Sequence, residues 1–357
     1  ALFAIKEFFE KTIKSKNLDS RSENYYVNSS NRSNYIFNSK ITGIEESDLI
    51  ILIGTNPRYE ATILNSRIRK AYLNNNIDIF SIGNVGELTY PYVALENSTK
   101  VINEIVNNKH NLSDQIKKSQ KPMIILGQSL LKMKSASYVF EELKKYLLTN
   151  NKINNDWNAF NVLSNNASTV GSYDLELLSS QNGENETLKK IKINEFDVIF
   201  LFGQENLKFK KKNEFIIYVG SHGDRGAEIA DIILPSAAYT EQEGYFTNLE
   251  GKMQKAYNAS YPPGEAKEDW QIINELAASL KRKKLYINKE ELVNSMINFL
   301  SMHKDKNFEV PNYEFINESI YVDDLDYYHS NSIARASKTM SECKSLSSNI
   351  KKTGTDG

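Results

Sequence analysis

An α/β fold built of two mostly parallel, Rossmann-like lobes follows from three features of the chain. Short apolar runs end in glycine or a polar turn, amphipathic helical patterns lie between them, and two strand-then-loop units resemble each other: DLIILIGTNP from Asp48 and DVIFLFGQEN from Asp197. Parallel neighbours need a crossover long enough to hold a helix, so alternation of these two patterns implies sheets sandwiched between helices.

The chain opens on a helical stripe, with Leu2, Phe3, Ile5, Phe8, Phe9 and Ile13 in phase. A continuous apolar run at 49–54 reads as a strand buried on both faces, and Ile63, Leu64, Ile68, Ala71 and Tyr72 give the helix after it. The polar stretch at 107–121 breaks the rhythm and places a lobe boundary near Asp114, giving lobes at 1–113 and 114–285. In the second lobe the strand run at 122–127 precedes a helix carrying Val139, Phe140, Leu143, Tyr146 and Leu147. A further helical stripe is expected from Trp157, Phe160, Leu163, Ala167 and Val170, and a polar insertion at 181–194. Strand runs follow at 198–203, 215–220 and 230–234 before Pro235, then a helix with Trp270, Ile273, Leu276, Ala277 and Leu280 in phase. Residues 286–357 are expected to form a C-terminal helix and an extended tail. From Lys304 the tail lacks periodicity, which points to disorder or draping over a partner.

Composition narrows the function classes. Apolar residues make up 40% and charged residues 25% of 357, the balance of a folded globular protein, and the net charge of -1 argues against a general attraction to nucleic acid or anionic lipid. The apolar runs fall far short of the ~20 residues a membrane-spanning helix needs. Cys343 is the only thiol, so the chain has neither the four thiolates of an iron–sulfur cluster nor a pair for an internal disulfide.

Several loops could carry chemistry. Gly54, Thr55, Asn56 and Pro57 follow a strand and open a helix, where free backbone N–H groups can receive a phosphate; the loop lacks both the glycine spacing of a dinucleotide fingerprint and the lysine of a phosphate loop, so a structural turn is the competing reading. Arg58, Arg67 and Arg69 put cations on the following segment, suited to an interface or to a solvated face. His222, Asp224 and Arg225, further interface candidates, lie in a loop after another strand, where open α/β sheets hold ligands. His222 and Asp224 suit either a base with its orienter or a polar cluster that ties the loop. Glu241, Glu243 and Glu250 are near one another in sequence, but the four histidines are too scattered to suggest a metal site.

The segment ADIILPSAAYTEQEGYFTNLEGKMQ, starting at Ala230, resembles the signature of the molybdopterin oxidoreductase superfamily. GTNPRYEA from Gly54, LNSRIRKAYL from Leu64, GSHGDRGAEIADIILPSAAYTE from Gly220, RSNYIFN from Arg32, LTYPY from Leu88, KPMIILG from Lys121, PPGEAKEDWQII from Pro262 and SIARASKTMSEC from Ser332 are similar to the large iron–sulfur subunits of respiratory complex I, NADH:ubiquinone oxidoreductase. The resemblance runs nearly end to end and implies a body descended from pterin-binding lobes that no longer holds a pterin. The loop Gly54 to Pro57 would then be a vestige of a pterin-dinucleotide site. An active pterin enzyme places a metal ligand after the first helix, where this chain reads Leu18-Asp19-Ser20-Arg21-Ser22.

The resemblance further implies a cofactor-free structural subunit of the peripheral arm. Iron–sulfur clusters and FMN would reside in partner subunits, above all in a cluster-bearing N-terminal half expected as a separate chain. The expected location is the matrix side of the mitochondrial inner membrane, or the cytoplasmic face of a bacterial plasma membrane, without insertion and without nucleic acid. Two other readings remain open at this point: a pterin-dependent oxidoreductase fragment and a free-standing nucleotide-binding α/β module.

Overall fold

The computed structural model describes residues 1–349 apart from positions 181, 205–206, 224, 282, 303–304, 306–307 and 312. The chain begins with α1 (Leu2–Glu7), which runs into a π-helical turn at Phe8–Ile13 and stops at Lys14 in the left-handed region. Phe3, Ala4, Ile5 and Phe8 are buried, as their phase requires.

The first sheet is built around β1 (Leu49–Ile53), all five residues of which are buried. After β1 come α2 (Pro57–Glu60) and α3 (Thr62–Asn75), which turns Leu64, Ile68 and Ala71 inward and ends at a left-handed Asn76. Next are β2 (Asp78–Ile82), β3 (Val93–Ala94), α4 (Thr99–Val106) and α5 (Asn111–Lys118). The strand β4 (Pro122–Gly127) is again wholly buried and leads into α6 (Gln128–Leu131), α7 (Ala136–Thr149) and β5 (Phe160–Leu163). The five strands are parallel in the order β3-β2-β1-β4-β5. β1 and β4 are central, so helices cover both their faces, and this is why they read as unbroken apolar runs.

Three expectations are corrected here. β4 pairs with all five residues of β1 through Pro122 to Leu126, so the first sheet crosses the boundary expected near Asp114; the polar stretch at 107–121 contains the surface helix α5, which buries only Leu112, Ser113 and Ile116. The stripe from Trp157 to Val170 is not one helix: Phe160 and Leu163 lie in β5, and Val170 in α8 (Thr169–Asp174). Pairing with β4 and the Phe140–Phe160 ring contact, 4.8 Å between centroids, outweigh a helical phase that five apolar residues can satisfy by chance. The polar insertion holds α9 (Glu186–Lys192), whose Leu188 and Ile191 enter the core.

The second sheet comprises β6 (Val198–Phe202), β7 (Phe215–Gly220) and, after α10 (Arg225–Ile229), β8 (Ile232–Pro235), all parallel in the order β6-β7-β8. Ile199, Leu201, Ile216 and Tyr218 pack with Leu188 and Ile191 of α9. On the opposite face Phe200 meets Phe8 and Phe9 of the first helical segment. Val198 of β6 and Ile232 and Ile233 of β8, the two edge strands, stay about half exposed, as does Phe215 at the start of the middle strand β7, so these strands are not buried on both faces as expected. An antiparallel hairpin, β9 (Gly244–Thr247) and β10 (Met253–Ala256), follows.

The chain ends in α11 (Asp269–Lys281), α12 (Lys289–Ser301), α13 (Ser332–Ala336) and α14 (Lys338–Asn349). Ile273, Ala277 and Leu292 of α11 and α12 share a core with α1. Among the described residues no helix is long and apolar enough to cross a membrane.

Candidate functional site

In an open parallel sheet, ligands bind beyond the carboxyl ends of the strands where the strand order reverses. Here that point lies between β1 and β4, ringed by Gly54, Gly83, Gly127 and the buried hydroxyls of Ser98, Thr99, Ser129 and Ser135. Residues 316–323 of the tail lie in it as an extended strap. Ile320 is completely buried, with its Cγ2 3.3 Å from where a Gly54 Cβ would stand and 3.1 Å from a Gly83 Cβ. Both glycines have positive φ, 60° and 117°, so only glycine allows both the turn and this approach. The strap pairs in parallel fashion with Asn84 through Tyr321 and in antiparallel fashion with Ser98 through Ser319.

The loop Gly54, Thr55, Asn56 and Pro57 is likewise taken up from within the chain. Thr55 Oγ1 donates to Glu60 Oε2 at 2.7 Å and Asn56 N donates to Glu60 Oε1 at 3.1 Å, so a carboxylate of α2 holds the donors that an anion would need. Burial pushes the Glu60 carboxyl above its ordinary value, and the two hydrogen bonds pull it back only partly. The Asn56 side chain caps α2 by accepting from Arg58 N, with Pro57 in the first helical position. Tyr327 closes the outside, its hydroxyl donating to Tyr59 O at 2.8 Å.

The sequence-expected cations do not converge on this crevice. Arg58 pairs with Glu87 and lies over the Tyr59 ring, while Arg67 and Lys70 both reach Glu45 at 2.7 Å. Arg69 is exposed, with no ion pair among the described residues. His222 sits on the other sheet, its Nδ1 3.0 Å from Ser221 Oγ and its carbonyl accepting from the Tyr218 hydroxyl, which favours the loop-tying role. Arg225 is the exposed first residue of α10, and Asp224 lies outside the described residues. Glu250 accepts from Ile41 N, Glu241 from Ala238 N, and Glu243 pairs with Lys255 and Lys289. His110 caps α5 through Nδ1, and His329 stands by Ser341 in the tail. His303 lies outside the described residues.

The signature segments that carry the family resemblance meet in space. Arg32 of RSNYIFN makes a bidentate pair with Asp174, at 2.8 and 2.7 Å, and its Nη2 also donates to Gly251 O of the TNLEG turn. At the expected metal-ligand position, Ser20 Oγ donates to Ser172 Oγ at 2.9 Å, and Asp19 and Arg21 are paired and almost fully buried. A cleft of about 970 Å³ opens beside Leu18, with Lys6, Glu10, Lys14 and Glu176 on its walls, but Lys6 is already neutralised by Glu10 at 2.6 Å. A pterin dinucleotide set in this crevice would have its phosphates compete with Glu60 for Thr55 and Asn56 and would need the strap to leave.

Sequence reasoning placed the crevice loop but missed Glu60, Glu318, Ile320 and the four hydroxyls. Glu60 lies inside GTNPRYEA, four residues after Asn56, and that spacing was a usable signal. Ile320 had none.

Comparison with known proteins agrees with this architecture. The family model described as molybdopterin oxidoreductase matches residues 1–279. The chain is 36% identical over 342 residues, 92% of its length, to the NADH-ubiquinone oxidoreductase 75 kDa subunit of Reclinomonas americana. It is 35% identical over 353 residues, 96% of its length, to an NADH-quinone oxidoreductase subunit of Rickettsia bellii. The chain spans about half the length of these curated relatives, 49% and 50%. Two parallel sheets with helices on their faces, signature segments joined through Arg32, and a family match over most of the length lead to one conclusion: the chain belongs to the molybdopterin oxidoreductase family.

Proposed function

We propose that this chain is a cofactor-free structural part of the peripheral arm of respiratory complex I. It docks beside the cluster-bearing half of the large iron–sulfur subunit and holds neighbours in place while they carry electrons from NADH through FMN and clusters to quinone. Its relatives of known name are subunits of NADH-quinone and NADH-ubiquinone oxidoreductases, which supports the assembly. The observation that carries the cofactor-free part is the crevice: Ile320 and Glu60 fill the volume and the donors that a bound nucleotide would use. The half-exposed apolar residues Val198, Phe215, Ile232 and Ile233 offer surface for a neighbour, as does Arg69, which has no ion pair among the described residues. The location that goes with this reading is the matrix side of the mitochondrial inner membrane, beside the bilayer rather than within it.

Affinity capture of an epitope-tagged chain from detergent-solubilised membranes tests the proposal. Co-purification with NADH-oxidising activity and iron–sulfur partners is expected, with no molybdenum or tungsten in the isolated chain. Stoichiometric molybdenum or tungsten in that chain would overturn the cofactor-free reading, and migration apart from any NADH-oxidising assembly would overturn the subunit reading.

A further inference from the structure

We propose that the crevice at the carboxyl ends of the first sheet is a peptide-binding site, whose ligand is an extended segment read through one aliphatic anchor, one carboxylate and main-chain pairing; residues 316–323 of the same chain occupy it in cis. The recognition is built from both sides. Thr99 N donates to Glu318 O at 3.0 Å, Glu318 N donates to Thr99 Oγ1 at 2.9 Å, and Thr99 Oγ1 donates to Ile316 O at 2.8 Å. Ser98 Oγ donates to Asn317 Oδ1 at 2.6 Å, and Ile320 N donates to Asn97 O at 3.1 Å. The Glu318 carboxylate accepts from Ser135 N at 2.8 Å, at the start of the fourteen-residue α7, where the helix end favours an anion. Asp323 N donates to Ser129 Oγ at 3.0 Å, and the Asp323 carboxylate meets Lys132 at 2.5 Å.

Ser98, Thr99, Ser129 and Ser135 are all at least nine-tenths buried, and each spends a hydroxyl on the strap. Buried polar groups need partners, so an empty crevice would leave them to water and expose the apolar floor that Ile320 covers. Glycines at 54 and 83 leave room for that one side chain. The selectivity is therefore for a peptide: main-chain N–H and C=O groups meet Asn97 and Thr99, which a nucleotide's phosphates could not satisfy as donors. Tethering raises the strap's local concentration to on the order of millimolar, so a weak interaction keeps the crevice filled. Strap binding is a property of this chain alone and holds whether or not the chain sits in a respiratory assembly.

The test uses the full chain, a variant with Glu318→Lys and Ile320→Asp together, a milder Glu318→Gln variant, and a labelled synthetic peptide of residues 313–326. In the unaltered chain the Thr99 and Ser135 amides are expected to be protected from hydrogen exchange and the peptide to find no site. In the double variant those amides exchange about a hundredfold faster while Ile51 and Ile125 keep their protection, and added peptide binds and restores it. Glu318→Gln should speed Ser135 exchange about tenfold with the fold intact. Unchanged protection of Thr99 and Ser135 in both variants would overturn the proposal, as would failure of the peptide to bind a folded double variant. Restoration of protection by ADP instead of the peptide would overturn it too.

Discussion

Ile320 stands over Gly54, its Cγ2 3.3 Å from the position a Cβ on that glycine would take, and so joins the end of the central strand to a segment more than 260 positions away. The end of β1 is thereby part of the protein's interior rather than an open ligand seat.

Substitutions at three glycines should rank by what a methyl group meets. At Gly127 it would lie 2.1 Å from Gly54 O, a backbone atom that cannot yield without moving β1, so Gly127→Ala is expected to cost more than about 3 kcal/mol. Gly54→Ala combines positive φ with contacts of 3.0–3.3 Å and should cost about 2–5 kcal/mol. Gly86, at φ 65° in open space, should lose only about 1–2 kcal/mol. Urea unfolding midpoints check the order.

Breaking the Asp19–Arg21 pair strands charge inside the protein. Arg21 also donates to the carbonyls of Tyr25, Gly183 and Glu184, and both side chains are almost fully buried. Arg21→Met is expected to destabilise by about 3–5 kcal/mol. Replacing Asp19 and Arg21 together by apolar residues should cost less than the sum of the single changes, a shortfall that a double-mutant cycle measures.

Glu60 makes stability pH-dependent. Its folded pKa is raised above the ordinary 4.5 by burial, so the folded state binds that proton more tightly than the unfolded state does. The stabilising contribution is fully present below 4.5 and is lost as pH rises through the raised value. Denaturation of wild type and Glu60→Gln between about pH 3.5 and about pH 7.5 should show the difference in stability favouring wild type most at the acid end and falling to a plateau. A difference that grows with pH would mean the sign is wrong.

Asp174 couples the Arg32 guanidinium and the Tyr35 hydroxyl, which donates to it at 3.0 Å, and Arg32 carries the link on to Gly251. Because Arg32 is partly exposed, Asp174→Asn is expected to cost only about 1.5–3 kcal/mol. Hydrogen exchange should be faster at Gly251 and in the β9–β10 hairpin while β1 is unaffected.

Arg69→Glu should leave folding stability within about 0.5 kcal/mol of wild type, since the side chain is exposed and touches no charge partner among the described residues. If this face meets a neighbour, the same substitution lowers recovery of co-purifying subunits. Arg67→Glu would instead disturb Glu45 within the chain and should be read first by unfolding.

By itself the sequence determined the central strands, the core-facing helices α1, α3, α7 and α11, and the ceiling on thiolate chemistry. Five consecutive apolar residues at β1 and six residues ending in glycine at β4 can be dry on both sides only inside a layered α/β body; periodic stripes such as Val139, Phe140, Leu143 and Leu147 have one cheap solution; and lone Cys343 bounds the number of sulfur ligands. These are local patterns, written within a few residues. Only the tertiary structure decided that Phe160 is strand rather than helix, that the first sheet continues past Asp114, and that the tail returns to fill the crevice. Thr99 and Glu318 are 219 positions apart, and an extended strap held by one aliphatic side chain and a row of hydroxyls repeats nothing along its length. Its order comes from distant partners that already stand in place, so no window of sequence contains the reason for it.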